Sequence, residues 1–383
     1  MIDPDDAVAL SVWPSVPRRR LARMLDALRT RGPFVESAAG ADTGGPDGSL
    51  HGDDRSRGPG QRLEALLRQL GQASQASALA GELRAAAADA MKAAAEHSIL
   101  AIPIGDQRYP SLLAAIPDPP VVLWVRGRVG CLGRASVAIV GSRVATPYGL
   151  EMAQRLAMDT STHGLVVVSG LARGVDSAAH RGALAGAGAT VAVLGSGIDK
   201  IYPPEHRRLA DEIVQRGAIV SEFPPGTPPL AYHFPLRNRI ISGLSLAVIV
   251  VEAAERSGSL ITAECALEQG REVMAVPGSV LNQRNGGSHG LLRDGARLVE
   301  SAEDVLDEVG IMPMRRLIED DPQPEVHPLL GLVPPGEAVD PDSLVQESGL
   351  DAAAVLSALL GLEMSGIVRR VDGGRFVRCE RTC

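Results

Sequence analysis

Val137–Gly149 reads VAIVGSRVATPYG, and this stretch decides the fold. Val137–Val140 is apolar at every position, the pattern of a strand covered on both faces. Gly141-Ser142-Arg143 then forms a turn. Thr146 suits a helix N-cap, and Pro147 suits the first helical position. A strand, a small-residue turn and a helix start together present free backbone N–H groups to an anion. Arg143 adds a planar, charged fork. The spacing is not the G-x-G-x-x-G of a dinucleotide site. Two readings stay open here: an anion-holding turn, or a plain strand-to-helix turn with a solvated arginine.

Outward from this stretch, strand and helix alternate. The apolar runs LVVVSG, TVAVLG, AIVSE, LAVIVVEA and EVMAVPG are separated by helical stretches such as DSAAHRGALAGAG and SLITAECALEQG. That alternation predicts an α/β fold, an extended Rossmann-like doubly wound sheet. Ligands of such sheets bind at the carboxyl ends of the strands.

Four more turns bear on that edge. SGLARGVDSAAH places Ser169 and Gly170 after a strand, with Asp176 as a natural N-cap and His180 on the helix behind it. GSGIDKIYPPEHRRL lacks the third glycine of a dinucleotide motif; its Lys200, Arg207 and Arg208 either face a polyanion or are solvated surface. FPLRNRIISGLS sets Arg237, Asn238 and Arg239 before a strand begins, which is the wrong end of a sheet unless the segment folds over. EAAERSGSLITAE turns through Ser257-Gly258-Ser259 into a helix capped by Ser259. Each turn alone has a structural explanation; together they predict a phosphate-rich ligand site rather than an acid–base machine. No zinc spacing, Walker A loop or nucleophile elbow is present.

Composition narrows the partners. Over 383 residues the formal charge is −8, so a polyanion must be held by local basic residues. Those are almost all arginine, with Lys92 and Lys200 the only lysines. Five aromatics, Tyr148, Tyr202, Phe223, Tyr232 and Phe234, fall at loops or element ends of the α/β region, where bases stack in single-strand binders and where packing on the sheet is the commoner fate. The scattered cysteines Cys131, Cys265, Cys379 and Cys383 read as reduced thiols of a cytoplasmic protein. The acidic start and the lack of a membrane-length apolar run predict neither a secretory signal nor a membrane span.

The flanks predict separate modules. Residues 1–98 read as a helical N-terminal domain, with an apolar stripe at Leu21, Met24, Leu25 and Leu28 and a Gly/Asp/Ser-rich insert over about 36–60 expected to be disordered. The α/β domain covers 99–310 and a linker 311–328. Residues 329–383 read as two helices and a hairpin turning at Asp372-Gly373-Gly374, a small winged-helix-like domain.

Seven motifs occur in order between about Ile99 and Val309: VAIVGSR, SGLARGVDSAAH, TVAVLGSGID with a Tyr-Pro pair behind it, SEFPPG, FPLRNRIISGLS, VVEAAERSGSLITAECALEQGREVMAVPG and GLLRDGA. On these the chain closely resembles the DNA-processing protein A (DprA/Smf) family; the helical start and winged-helix tail match its flanking domains less specifically. The resemblance implies a homodimer that binds single-stranded DNA without catalysis or cofactor. It implies protection of incoming strands in natural transformation and help in loading the RecA recombinase. It places Arg143 on the DNA backbone, with Ser169, Gly170, Arg237, Asn238, Arg239, Ser257 and Gly258 around one pocket; Gly141, Ser142 and Ser259 belong to the same turns. Three positions depart from the family. Pro204 stands where members often carry lysine, which shifts the expected phosphate contact to Lys200 or Arg207. His206 and His289 stand where asparagine is usual. WPSVPRRR lacks the glycines of a helix-hairpin-helix, and DAAAVLSALLGLEM is too apolar and acidic to read a groove, so that helix points to protein contact.

Two other classes compete. A nucleotide-processing Rossmann enzyme of the phosphoribohydrolase type would use a Gly-Gly-x-Gly-Thr-x-x-Glu motif, of which SGSLITAE is a distant echo. A pure interaction scaffold would leave the turns merely structural.

Overall fold

A computed structural model describes residues 3–13, 21, 59–281, 283–311, 328–334, 338–364, 367–371 and 374–378. The expected insert at 36–60 falls almost wholly outside them. So do the linker, the Asp372-Gly373 part of the hairpin turn, and Cys379 and Cys383.

The chain divides into two compact units, Met1–Pro313 and Met314–Cys383. In the first, the described strands are β1 Leu100–Pro103, β2 Val122–Gly127, β3 Ser136–Val140, β4 Val166–Ser169, β5 Thr190–Leu194, β6 Ala218–Ser221, β7 Ala247–Val250, β8 Glu272–Ala275 and β9 Arg297–Leu298. They form one sheet in the order β1-β2-β6-β5-β4-β3-β7-β8-β9. From β6 to β9 every neighbouring pair is parallel. The hairpin β1–β2 joins that edge antiparallel through β2 and β6. The sequence of 99–127 reads as short extended segments punctuated by proline, and they do form strands; their place in the sheet could not be read locally, because pairing is decided by what lies beside a strand.

The all-apolar runs are explained by their two faces. Along β3, Val137 and Ile139 pack among the helices Pro147–Thr162 and Val175–Ala185, while Ala138 and Val140 pack with Ile240, Ile241, Ala263 and Ala266 on the other side. Successive side chains of a strand point to opposite faces, so both registers must be apolar. On β5, Ala192 and Leu194 join a core that also holds Leu10, Trp13, Leu63, Leu67 and Leu83. The N-terminal helices Pro4–Ser11, Pro59–Gln69 and Ala76–Glu96 therefore share a hydrophobic core with the sheet rather than enclosing one of their own.

The second unit holds helices Pro341–Ser348 and Ala352–Met364 and a small sheet in the order β10-β12-β11, from Ala338–Val339, Phe376–Arg378 and Val368–Arg370. Leu344, Val355, Leu359, Val368 and Phe376 form its core. Asp340 caps the first helix, with Pro341 at its first position and Gly349 in the left-handed region at its end. Among the described residues no single helix is long and apolar enough to cross a membrane.

Candidate nucleic-acid interface

From β3 the chain steps outward through β4, β5 and β6, then returns to place β7 on the other side of β3. This reversal is the topological switch point, where a crevice opens at the carboxyl ends of the strands. A cleft of about 580 Å³ lies there, between the turn after β3, the turn after β7 and the helix His233–Gly243. Arg143, Arg237 and Arg256 line it, and among the described residues Asp176 is the one carboxylate on its wall.

Arg237 is the buried member, at 4% exposure. Its Nη1 donates to the carbonyls of Gly170, at 2.7 Å, and of Val193. The guanidinium lies where a Cβ on Gly170 would stand, so glycine there makes room for the arginine. Burial lowers the Arg237 pKa to about 10; Asp176 opposes that shift and Arg143 adds to it. Asp176 is buried, and burial raises its pKa while Arg237 pulls the other way. Its Oδ2 accepts N–H bonds from Gly170 at 3.1 Å and Ala172 at 3.3 Å. Asp176 is thus not the predicted N-cap. That place belongs to Gly174, whose positive φ and contact with the Ser142 carbonyl leave no space for a side chain. The carboxylate reaches back to fix the 170–172 turn instead.

Arg143 is exposed, and its guanidinium carbon lies 5.5 Å from the centroid of the Phe234 ring; that of Arg237 lies 5.9 Å from the same ring. The two cations therefore share one aromatic support. Across the cleft, the helix Gly258–Glu268 is capped by Ser257, not Ser259: the Ser257 Oγ accepts from the Ser259 N–H at 3.4 Å. Ser259 instead shares a hydroxyl–hydroxyl bond of 2.8 Å with Ser257. The Asn238 amide donates to the Gly258 carbonyl at 3.2 Å and ties this turn to the arginine-bearing helix.

The helix start behind Gly141-Ser142-Arg143 is closed. Thr146 caps it, with Pro147 at its first position. The buried Glu252 at the end of β7 accepts from the Thr146 hydroxyl at 2.5 Å and from the Thr146 N–H at 3.2 Å. An internal carboxylate takes the place expected for a bound anion, which leaves Arg143, not the helix start, as the turn's free donor.

Of the predicted residues, Gly141, Ser142, Arg143, Arg237, Asn238, Ser257, Gly258 and Ser259 all line this cleft. Ser169 is fully buried and donates to the Ile139 carbonyl at 2.7 Å, an inter-strand contact beneath the rim. Gly170 serves Arg237. Arg239 turns to the other side of its helix, where Glu222 and Asp118 take it at 2.6 and 3.1 Å. Both carboxylates raise its pKa against the effect of burial, as expected of a cation locked into the protein. Lys200 pairs with Asp199 at 3.4 Å, and Arg207 starts the helix Arg207–Arg216; neither lines the cleft. His180 lies on the helix Val175–Ala185 and is buried in the core, where its Nδ1 meets the Thr190 hydroxyl at 2.7 Å. Arg256 joins the cleft from the turn it shares with Ser257, with no feature of its own in EAAERSGSLITAE to mark it, and Phe234, one of five loop aromatics in the sequence, lies against both Arg143 and Arg237.

Fold and site together define an extended Rossmann-type protein with an arginine-rich cleft at its switch point. Residues 100–310 match the family model of DNA recombination-mediator protein A, and 316–374 match the DprA winged helix domain. The protein Smf of Escherichia coli is 43% identical over 292 residues, covering 74% of this chain and 78% of that protein. The crystal structure of DNA processing protein A from Streptococcus pneumoniae superposes with a TM-score of 0.64 at 34% identity, covering 80% of this chain and 98% of that one. DNA processing protein A from Helicobacter pylori, described for its single-stranded DNA binding mode, gives a TM-score of 0.50 at 30% identity, covering 55% of this chain and 95% of that one. The chain belongs to the DprA/Smf family.

Proposed function

We propose that this protein binds single-stranded DNA along the carboxyl rim of its sheet and leaves the strand's bonds intact. The observation that carries the reading is the convergence of Arg143, Arg237 and Arg256 with the Ser257–Ser259 turn on one cleft, in a chain whose net charge is −8. Local cations against an acidic whole are what a sugar-phosphate chain requires of such a protein. The single-stranded DNA binding described for the Helicobacter pylori relative supports the same reading.

Binding without catalysis is favoured by the cleft's acid–base content. The one carboxylate among its described lining residues, Asp176, already accepts two backbone N–H groups. Glu264, the acid that a phosphoribohydrolase reading needs, is exposed and lies outside the lining. Incubation with AMP is expected to release no adenine. By family resemblance the protein acts in the cytoplasm as a homodimer, protects incoming strands in natural transformation and helps load the RecA recombinase.

The test is a salt-titrated gel shift with oligo-dT and its duplex. Single strands are expected to bind more tightly, with affinity falling steeply as salt rises. Arg143→Ala removes a charge-assisted contact and is expected to weaken oligo-dT binding about ten- to a hundredfold, with a shallower salt slope. Wild-type affinity in that variant would defeat the assignment.

A further inference from the structure

Beside the arginine cleft lies a second aromatic surface that the family resemblance does not assign. Tyr202 follows β5 at the same carboxyl edge and is 40% exposed. Its ring centroid lies 5.7 Å from that of Phe234, with the planes tilted by 48°. Phe234 is already covered, because the guanidinium carbons of Arg143 and Arg237 lie 5.5 and 5.9 Å from its centroid. A base seeking an aromatic face meets Tyr202 part-exposed, its hydroxyl beside Arg173, and Phe234 already taken by two guanidinium groups. The hollow bounded by Arg143, Arg173, Tyr202 and Phe234 measures about 30 Å³. That is room for one water, not for a base. A stacked base therefore lies on the outer face of the tyrosine.

From these positions we infer that Tyr202 is the stacking platform for a nucleobase of the bound single strand, one step along the rim from the arginine cleft. The strand runs from the Arg256–Ser257 turn after β7, past Arg143 after β3, to Tyr202 after β5. Phe234 supports the two arginines and the tyrosine from beneath. Every base has a π-face, so this contact selects single strands over duplex without selecting sequence. The inference rests on the DNA-binding reading above.

Fluorescence anisotropy with two labelled strands separates the possibilities: oligo-dT, and an abasic strand of equal length with the same sugar-phosphate chain. Tyr202→Ala and Tyr202→Leu are expected to weaken oligo-dT binding about five- to a hundredfold and to leave abasic binding unchanged. Tyr202→Phe keeps wild-type affinity for both. Arg143→Ala weakens both, since it acts on the backbone. Unchanged abasic binding also reports that the variants are folded. Equal losses on both strands, or no loss on oligo-dT, would overturn the stacking role. Failure of the wild-type protein to bind either strand would instead overturn the DNA-binding reading, and this inference with it.

Discussion

Two helices start at the carboxyl ends of neighbouring strands, one at Pro147 after β3 and one at Gly258 after β7. They look alike in sequence: a small-residue turn, an arginine and a hydroxyl cap. In the fold they differ. The first is closed by Glu252, whose carboxylate accepts both the N–H and the hydroxyl of Thr146. The second has only the Ser257 hydroxyl at its cap, and among the described residues no carboxylate accepts from it. Orphan N–H groups draw whatever acceptor is nearest. A neighbouring strand supplied one acceptor and left the other start facing the cleft. The positive end of a helix becomes a ligand site only where the protein has not already answered it.

Acid is expected to break the comparison first, by weakening the frame that carries both starts. Burial lowers the His180 pKa to about 3, with His206, Arg237 and Arg181 adding to the shift. The unfolded chain takes up that proton near the ordinary value of 6.5, and the native protein holds it off until about 3. Between these values the unfolded state binds more protons, so stability falls as pH falls, at up to about 1.4 kcal/mol per pH unit. Urea unfolding followed from pH 7.5 to pH 5 measures the slope. In His180→Gln the slope is expected to flatten; parallel curves for variant and wild type would clear His180 of the effect.

Above that window the closed start can be opened alone. Glu252→Ala strips Thr146 of a buried, charged acceptor and is expected to cost about 2–3 kcal/mol of stability. Affinity for oligo-dT is expected not to fall, because a negative charge leaves the rim. A variant that keeps its unfolding midpoint while losing DNA would reverse the roles given to the two starts.

Much of this site could be read in the chain before folding. The runs flanking Gly141 and Gly258, the cap at Thr146 and the fork at Arg143 are local features, fixed within a few residues. What stayed hidden depends on contacts between distant segments. Glu252 meets Thr146 across 106 positions, and Arg239 meets Asp118 across 121. Arg237 and Arg239 are two residues apart on one helix, yet one reaches the cleft and the other an internal pair of carboxylates. Nothing in FPLRNRIISG separates their fates, because the helix's orientation is set by the strands it packs on. The hairpin at β1–β2 and the core shared with the N-terminal helices were hidden for the same reason.

The smallest effect falls on the open start and is the sharpest discriminator. Ser257→Ala removes the only side-chain cap of the helix at Gly258, and with it the hydroxyl bond to Ser259. A lost serine cap costs about 1 kcal/mol. Stability should therefore drop less than in Glu252→Ala, but here DNA binding should weaken as well, by a few-fold, because the Ser257–Ser259 turn is itself part of the cleft wall. Ser257→Asp separates the two effects. It restores a cap and stability, yet sets a carboxylate where Glu252 stands in the closed start, so its affinity for oligo-dT is expected to fall below that of Ser257→Ala. If aspartate recovered both stability and DNA binding, the second start would be as structural as the first, and the arginines alone would hold the strand.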